Sequence, residues 1–266
     1  MADWNKISDR GTVDDRRASP TLVRGGLGLG GVALVLLFTY LQNGSLDPQT
    51  IFEVLSQSNI VQQNSPVASE STTSNETYRV FASTVLGSTN HTWTDQFAAR
   101  NLTYTPPHFV LFRGGTDSGC GGAYTEEGPH YCPTDQTVYL DETFFDQLAA
   151  RFGGNTTDVA QAYVIGHEVG HHVQELLHIS LDSIALELQA DCLAGAWMGT
   201  LKAQAVLAPS EVKEALDEAA AVGDDNIQKK TSGTINRETW THGSSAQRTS
   251  SFQKGYDAGT LAACGA

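Results

Sequence analysis

The stretch Ala162-Tyr-Val-Ile-Gly-His167-Glu168-Val-Gly-His171-His172-Val-Gln174 constrains this chain more than any other. Its apolar spacing predicts a helix, and on a helix residues four apart lie one above the other. His167 and His171 would therefore present two imidazoles to one metal ion from a single rigid element. Glu168 follows the first of them, within reach of water at that ion. Asp158 with Gln161 three residues on has the pattern of a helix start. Gly166 and Gly170 each cost a helix about 1 kcal/mol against alanine, a cost that close approach by another element would explain.

Two histidines leave a catalytic zinc ion one protein ligand short. The next predicted helix, Ser183 to about Leu207, carries Glu187-Leu-Gln-Ala-Asp191. Glu187 comes 16 residues after His171, room for a turn and a helix that crosses back. His167, His171 and Glu187 then form a His₂Glu set, expected to hold one Zn²⁺ per chain. Asp191 lies four residues further on the same face, where a carboxylate can accept the other N–H of a ligand histidine and fix its tautomer. The reverse assignment, Asp191 as ligand with Glu187 outside, stays open on spacing alone. His91, His108, His130, His172 and His178 have no ligand spacing.

The amino-terminal third reads differently. Gly25 to Leu41 runs seventeen residues without a charge, the lower limit for a spanning helix, and Arg24 can extend it by snorkelling. A long polar stretch before it and no A-x-A site after it favour a retained anchor over a cleaved signal peptide. Lys6, Arg10, Arg16, Arg17 and Arg24 precede the run, and no Lys or Arg follows until Arg79. The positive-inside rule then places residues 1–24 in the cytoplasm and everything after the span outside the cell membrane. Four segments are expected: 1–24 cytoplasmic, 25–41 transmembrane, 42–76 a juxtamembrane helix and polar tether, and 77–266 the folded domain.

In that domain Val80 to Leu86 and Trp93 to Ala98 predict two short helices. His108–Phe112 and Thr137–Asp141 predict strands, the second either an ordinary sheet strand or one that binds peptide along its edge. Ser210 to Val222 and Ala246 to Ala258 predict further helices, and Asp224-Asp225 reads as a solvated turn. The formal net charge of −14, with no basic cluster, argues against nucleic acid as a partner. Four cysteines without a CxxC pair argue against a thiolate zinc site. In an oxidising compartment they would form two disulfides, most simply Cys120–Cys132 and Cys192–Cys264, among three possible pairings; in the cytosol they would be free thiols.

Gly166-His-Glu-Val-Gly-His-His-Val-Gln174 together with Glu187-Leu-Gln-Ala-Asp-Cys-Leu-Ala-Gly-Ala-Trp197 resembles the bacterial neutral zinc metallopeptidase family. The similarity extends to Asp14-Asp-Arg-Arg17, Gly128-Pro-His-Tyr-Cys-Pro133, Val138-Tyr-Leu-Asp141 and Thr241-His-Gly-Ser-Ser-Ala-Gln-Arg248. One departure is Ala185, where members of the family often carry arginine. The resemblance implies an α+β, zincin-like metallopeptidase domain, mostly helical with a small β-sheet and preceded by a single transmembrane helix. It also implies a peptide or protein substrate, with Glu168 as general base toward zinc-activated water. His242, in a polar loop within one of these motifs, is the candidate second donor to the oxyanion, or else a structural histidine. Arg248 is expected to pair with a buried carboxylate. The competing reading is a catalytically silent zinc-containing binding or scaffold protein.

Overall fold

A computed structural model of the chain describes residues 2–18 and 72–266. The apolar run at 25–41, the juxtamembrane helix and nearly all of the tether lie outside the described residues. Among the described residues no helix is long and apolar enough to cross a membrane.

The fold is α+β, mostly helical, with two small sheets. β1 (Asp14–Asp15), β2 (His108–Leu111) and β6 (Thr137–Leu140) run parallel, and β5 (His130–Cys132) pairs antiparallel with β6, giving the order β1-β2-β6-β5. β3 (Gly115–Ser118) and β4 (Gly121–Tyr124) form a separate antiparallel hairpin. β6 is thus an inner strand, buried at every position, which explains its uninterrupted apolar character. The sheet's edges are β1 and β5, so Thr137–Leu140 is the ordinary sheet strand of the two readings and not a peptide-binding edge.

Seven helices complete the described fold: α1 (Thr72–Ala98), α2 (Phe144–Phe152), α3 (Asp158–Leu176), α4 (Ser183–Ala203), α5 (Val212–Ala221), α6 (Asp224–Ser232) and α7 (Ser245–Ala258). The two short helices expected between Val80 and Ala98 are one continuous helix. α1 starts inside the stretch assigned to the tether, and its Trp93 and Phe97 are fully buried. α6 occupies the place read as a solvated turn. The cap of α3 is Thr157, whose side chain accepts from the Ala160 N–H; Asp158 instead accepts from the Trp4 indole at 2.8 Å.

Three helices build the core around the site, and glycine lets them approach. A Cβ on Gly166 would lie 2.7 Å from the Trp197 ring, and one on Gly170 would lie 3.1 Å from the Ala190 carbonyl oxygen. The helix cost of these glycines is therefore offset by a close α3–α4 crossing, which carries Glu187 and Asp191 to the histidines. Both expected disulfides are present: Cys120–Cys132 pins the glycine-rich loop to β5, and Cys192–Cys264 ties α4 to the carboxy terminus.

Residues 2–18 belong to the same compact unit as the domain. Ala2 and Ile7 enter its core, the Asp3 N–H bonds the Val206 carbonyl at 2.9 Å, and β1 adds to the edge of β2.

Candidate metal centre

His167 and His171 project from consecutive turns of α3, and Glu187 projects from the first turns of α4. The three offer ligand atoms that all lie within 4.8 Å of one another. His167 Nε2 is 3.1 Å from His171 Nε2 and 3.2 Å from Glu187 Oε2, and His171 Nε2 is 3.5 Å from Glu187 Oε1.

The donor set fits a metal because of what holds the other ring nitrogens. His167 Nδ1 donates to Asp191 Oδ1 at 2.9 Å, and His171 Nδ1 donates to Gln174 Oε1 at 2.9 Å. With both Nδ1 atoms carrying protons to these acceptors, both Nε2 lone pairs point at one spot beside a carboxylate. Two lone pairs that close repel unless a cation sits between them, a metal ion or, in its absence, a proton that His167 Nε2 donates to Glu187. His₂Glu is a known zinc ligand set. In this arrangement Glu187 lies within the cluster and Asp191 lies behind His167.

Asp191 is fully buried and held by Arg248, whose Nε reaches Oδ2 at 2.8 Å and whose Nη2 reaches Oδ1 at 2.9 Å. Tyr163 donates to the same Oδ1 at 2.5 Å. Arg248 thus pairs with a buried carboxylate, as expected, and also comes within 3.9 Å of Glu187. Burial opposes the Asp191 charge, but Arg248 and His167 outweigh it and hold the carboxyl well below the usual range. Burial likewise opposes the His167 imidazolium, yet Asp191 and Glu187 carry its pKa up to about 10 without metal. Burial and the neighbouring His167 push His171 down to about 4.

Glu168 stands beside the cluster and is buried. Burial is the main cause that pushes its pKa up to about 7. Such a carboxyl is poised to take and return a proton near neutral pH. His172 is buried off the ligand face, with Nε2 bonded to the Thr105 carbonyl oxygen and Nδ1 to the Tyr131 hydroxyl.

A cavity of about 640 Å³ opens onto His167, Glu168, His171 and Glu187. Its apolar lining includes Phe144, Leu148, Phe152, Val164 and Ile227, and β5 contributes His130 and Tyr131. His242 lines the same cavity, with its side chain 47% exposed. Its Nδ1 faces Asp224 Oδ1 at 3.2 Å, while Asp224 Oδ2 accepts the backbone N–H groups of Thr241, His242 and Gly243 at 2.7 to 2.9 Å. Sequence reasoning missed Asp224 and Gln174. Gln174 was visible in principle, three residues after His171 on one helix face, whereas Asp224 reaches across 17 to 19 residues of chain and left no local signal.

Residues 2–266 match the model of the family described as "Putative neutral zinc metallopeptidase". Over 286 aligned residues the chain is 37% identical to the uncharacterized protein YpfJ of Escherichia coli K12, covering 98% of this chain and 97% of the relative. It is also 43% identical over 182 residues to the uncharacterized protein Rv2575 of Mycobacterium tuberculosis, covering 60% of this chain and 62% of the relative. No solved structure matches.

Proposed function

The chain belongs to the neutral zinc metallopeptidase family, and from that premise we propose that it is a zinc-dependent peptidase with Glu168 as its general base. The observation that carries this reading is the set of two Nε2 lone pairs and the Glu187 carboxylate converging on one point, with Glu168 beside it in an open cavity. A zinc ion held there supplies Lewis acidity, which lowers the pKa of water and polarises a carbonyl. The chain's own residues do the rest. Glu168 takes the proton of the attacking water and passes it to the departing amine. His242 lines the cavity with Nδ1 beside the Asp224 carboxylate and, as the imidazolium, donates its Nε2–H to the developing oxyanion. The outer edge of β5 can pair with an extended peptide through main-chain hydrogen bonds.

The cavity supports a substrate class. Its apolar wall accepts a large apolar side chain, and its acidic members Glu127 and Glu175 disfavour acidic ones. Arg248, the one lysine or arginine among the lining residues, is committed to Asp191. The two disulfides support a location outside the cytoplasm.

The deciding experiment incubates the zinc-loaded protein and its Glu168→Gln variant with an unbiased peptide library. Cleavage by the first, at least 100-fold slower in the second at equal zinc content, is the expected result. A library left intact by both would favour the zinc-containing scaffold instead.

A further inference from the structure

We propose that residues 2–18 are a built part of the zinc domain and stay with it on one side of the membrane, so that no single crossing separates them. This inference is independent of the peptidase reading. A segment in the cytoplasm and a domain outside would be held apart by about 30 Å of hydrocarbon. Here they touch along the whole length of the segment.

Backbone groups make much of the contact. The Gly11 N–H donates to the Ser83 carbonyl at 2.7 Å, and the Ser83 hydroxyl donates back to the Gly11 carbonyl at 2.6 Å. β1 then supplies the outer edge of the parallel sheet, Asp14 opposite Val110 and Asp15 opposite Leu111. Without it β2 would present an unpaired edge. The crossing with α1 is shaped for this segment and nothing bulkier. A Cβ on Gly87 would lie 2.6 Å from the Asp9 and Arg10 backbone, and one on Gly11 would lie 2.5 Å from Leu86.

Four of the five cations that set orientation on sequence grounds, Lys6, Arg10, Arg16 and Arg17, are bonded within the described residues. The Arg17 side chain is 1% exposed between Asp15 and Glu142, at 2.6 and 2.8 Å. Arg16 bonds Asp14, Lys6 bonds the Ala205 carbonyl and Arg10 bonds the Ile7 carbonyl. Asp3, Asp9, Asp14 and Asp15 balance these four cations within the segment itself.

Two measurements on the full chain test the proposal. Single cysteines replace the exposed Ser8 and Lys213, the native cysteines all being paired. A membrane-impermeant maleimide is then applied to intact spheroplasts and to lysate. Both positions should label alike, before lysis or only after it; one labelling in intact spheroplasts without the other overturns the proposal. The second measurement is the Tm of Gly87→Ala. Alanine in a free helix raises stability, whereas a docked segment has no room for the methyl group. The Tm should fall by several degrees, and a rise overturns the proposal.

Discussion

The Asp191 carboxylate accepts the Nδ1–H of His167 at 2.9 Å from a position with no solvent exposure, on the helix that also bears Glu187. The bond fixes the tautomer that leaves Nε2 free to bind metal, and Arg248 fixes Asp191 in turn. Asp191→Asn should therefore weaken zinc binding about 10- to 100-fold. It also strands a buried guanidinium, a loss of about 3–5 kcal/mol of stability. A competing chelator measures zinc Kd on the folded fraction; an unchanged Kd there would show that the pair does not orient the ligand.

His242 and Asp224 predict a different pattern. His242 lies outside the ligand set, so His242→Ala should keep zinc and lower kcat about 10²- to 10³-fold. Asp224→Asn, which acts only through His242 and its loop, should cost less and fall in the same parameter. Loss of zinc in His242→Ala, or full kcat, would remove the oxyanion role.

The site was more legible in the sequence than the fold around it. His167, Glu168 and His171 follow from four-residue helical spacing, and Glu187 and Asp191 repeat that spacing on the next helix. The two disulfides join consecutive cysteines, Cys120 to Cys132 and Cys192 to Cys264. α1 was broken in two because its buried face contains Thr84, Thr89 and Thr92 as well as apolar residues. Thr84 and Thr89 satisfy their hydroxyls on the helix's own carbonyls, so polar letters there do not mean solvent. The docking of residues 2–18 rests on backbone bonds and on the fit of Gly11 and Gly87, which no apolar pattern announces. Asp224 looked solvated because its partners are backbone amides of a distant loop.

Glu218 predicts a pH dependence unconnected with the metal. It is fully buried, one oxygen accepts the Asn155 N–H at 2.6 Å, and the other has no partner. Burial pushes its pKa from 4.5 up to about 7. The folded state thus holds this proton more tightly than the unfolded chain. The associated stability is present in full below pH 4.5 and is lost as pH rises through about 7. Glu218→Gln keeps the shape and removes the titration, so it should stabilise the protein at pH 8.5 relative to pH 5, by up to about 3 kcal/mol. Tm curves for the two proteins should separate as pH rises; parallel curves would show that Glu218 does not titrate in this range.

The crossing of α4 and α7 links packing directly to the metal. α4 bears Glu187 and Asp191, and α7 bears Arg248, so their separation sets the ion pair behind His167. A Cβ on Gly255 would come 1.8 Å from the Cys192 carbonyl oxygen, and one on Gly195 would come 2.0 Å from that of Phe252. Both obstacles are backbone, which cannot turn aside as a side chain can. Helix propensity alone favours Gly255→Ala by about 1 kcal/mol. Steric overlap opposes it by about 1–3 kcal/mol or more, because the two helices must move apart as units. The net result should be a lower denaturant midpoint together with weaker zinc binding, since the Arg248–Asp191 bonds of 2.8 and 2.9 Å lengthen with the shift. Denaturation and chelator competition on the same sample check both halves, and a stabilised variant with unchanged zinc Kd would mean that this crossing does not set the spacing of the site.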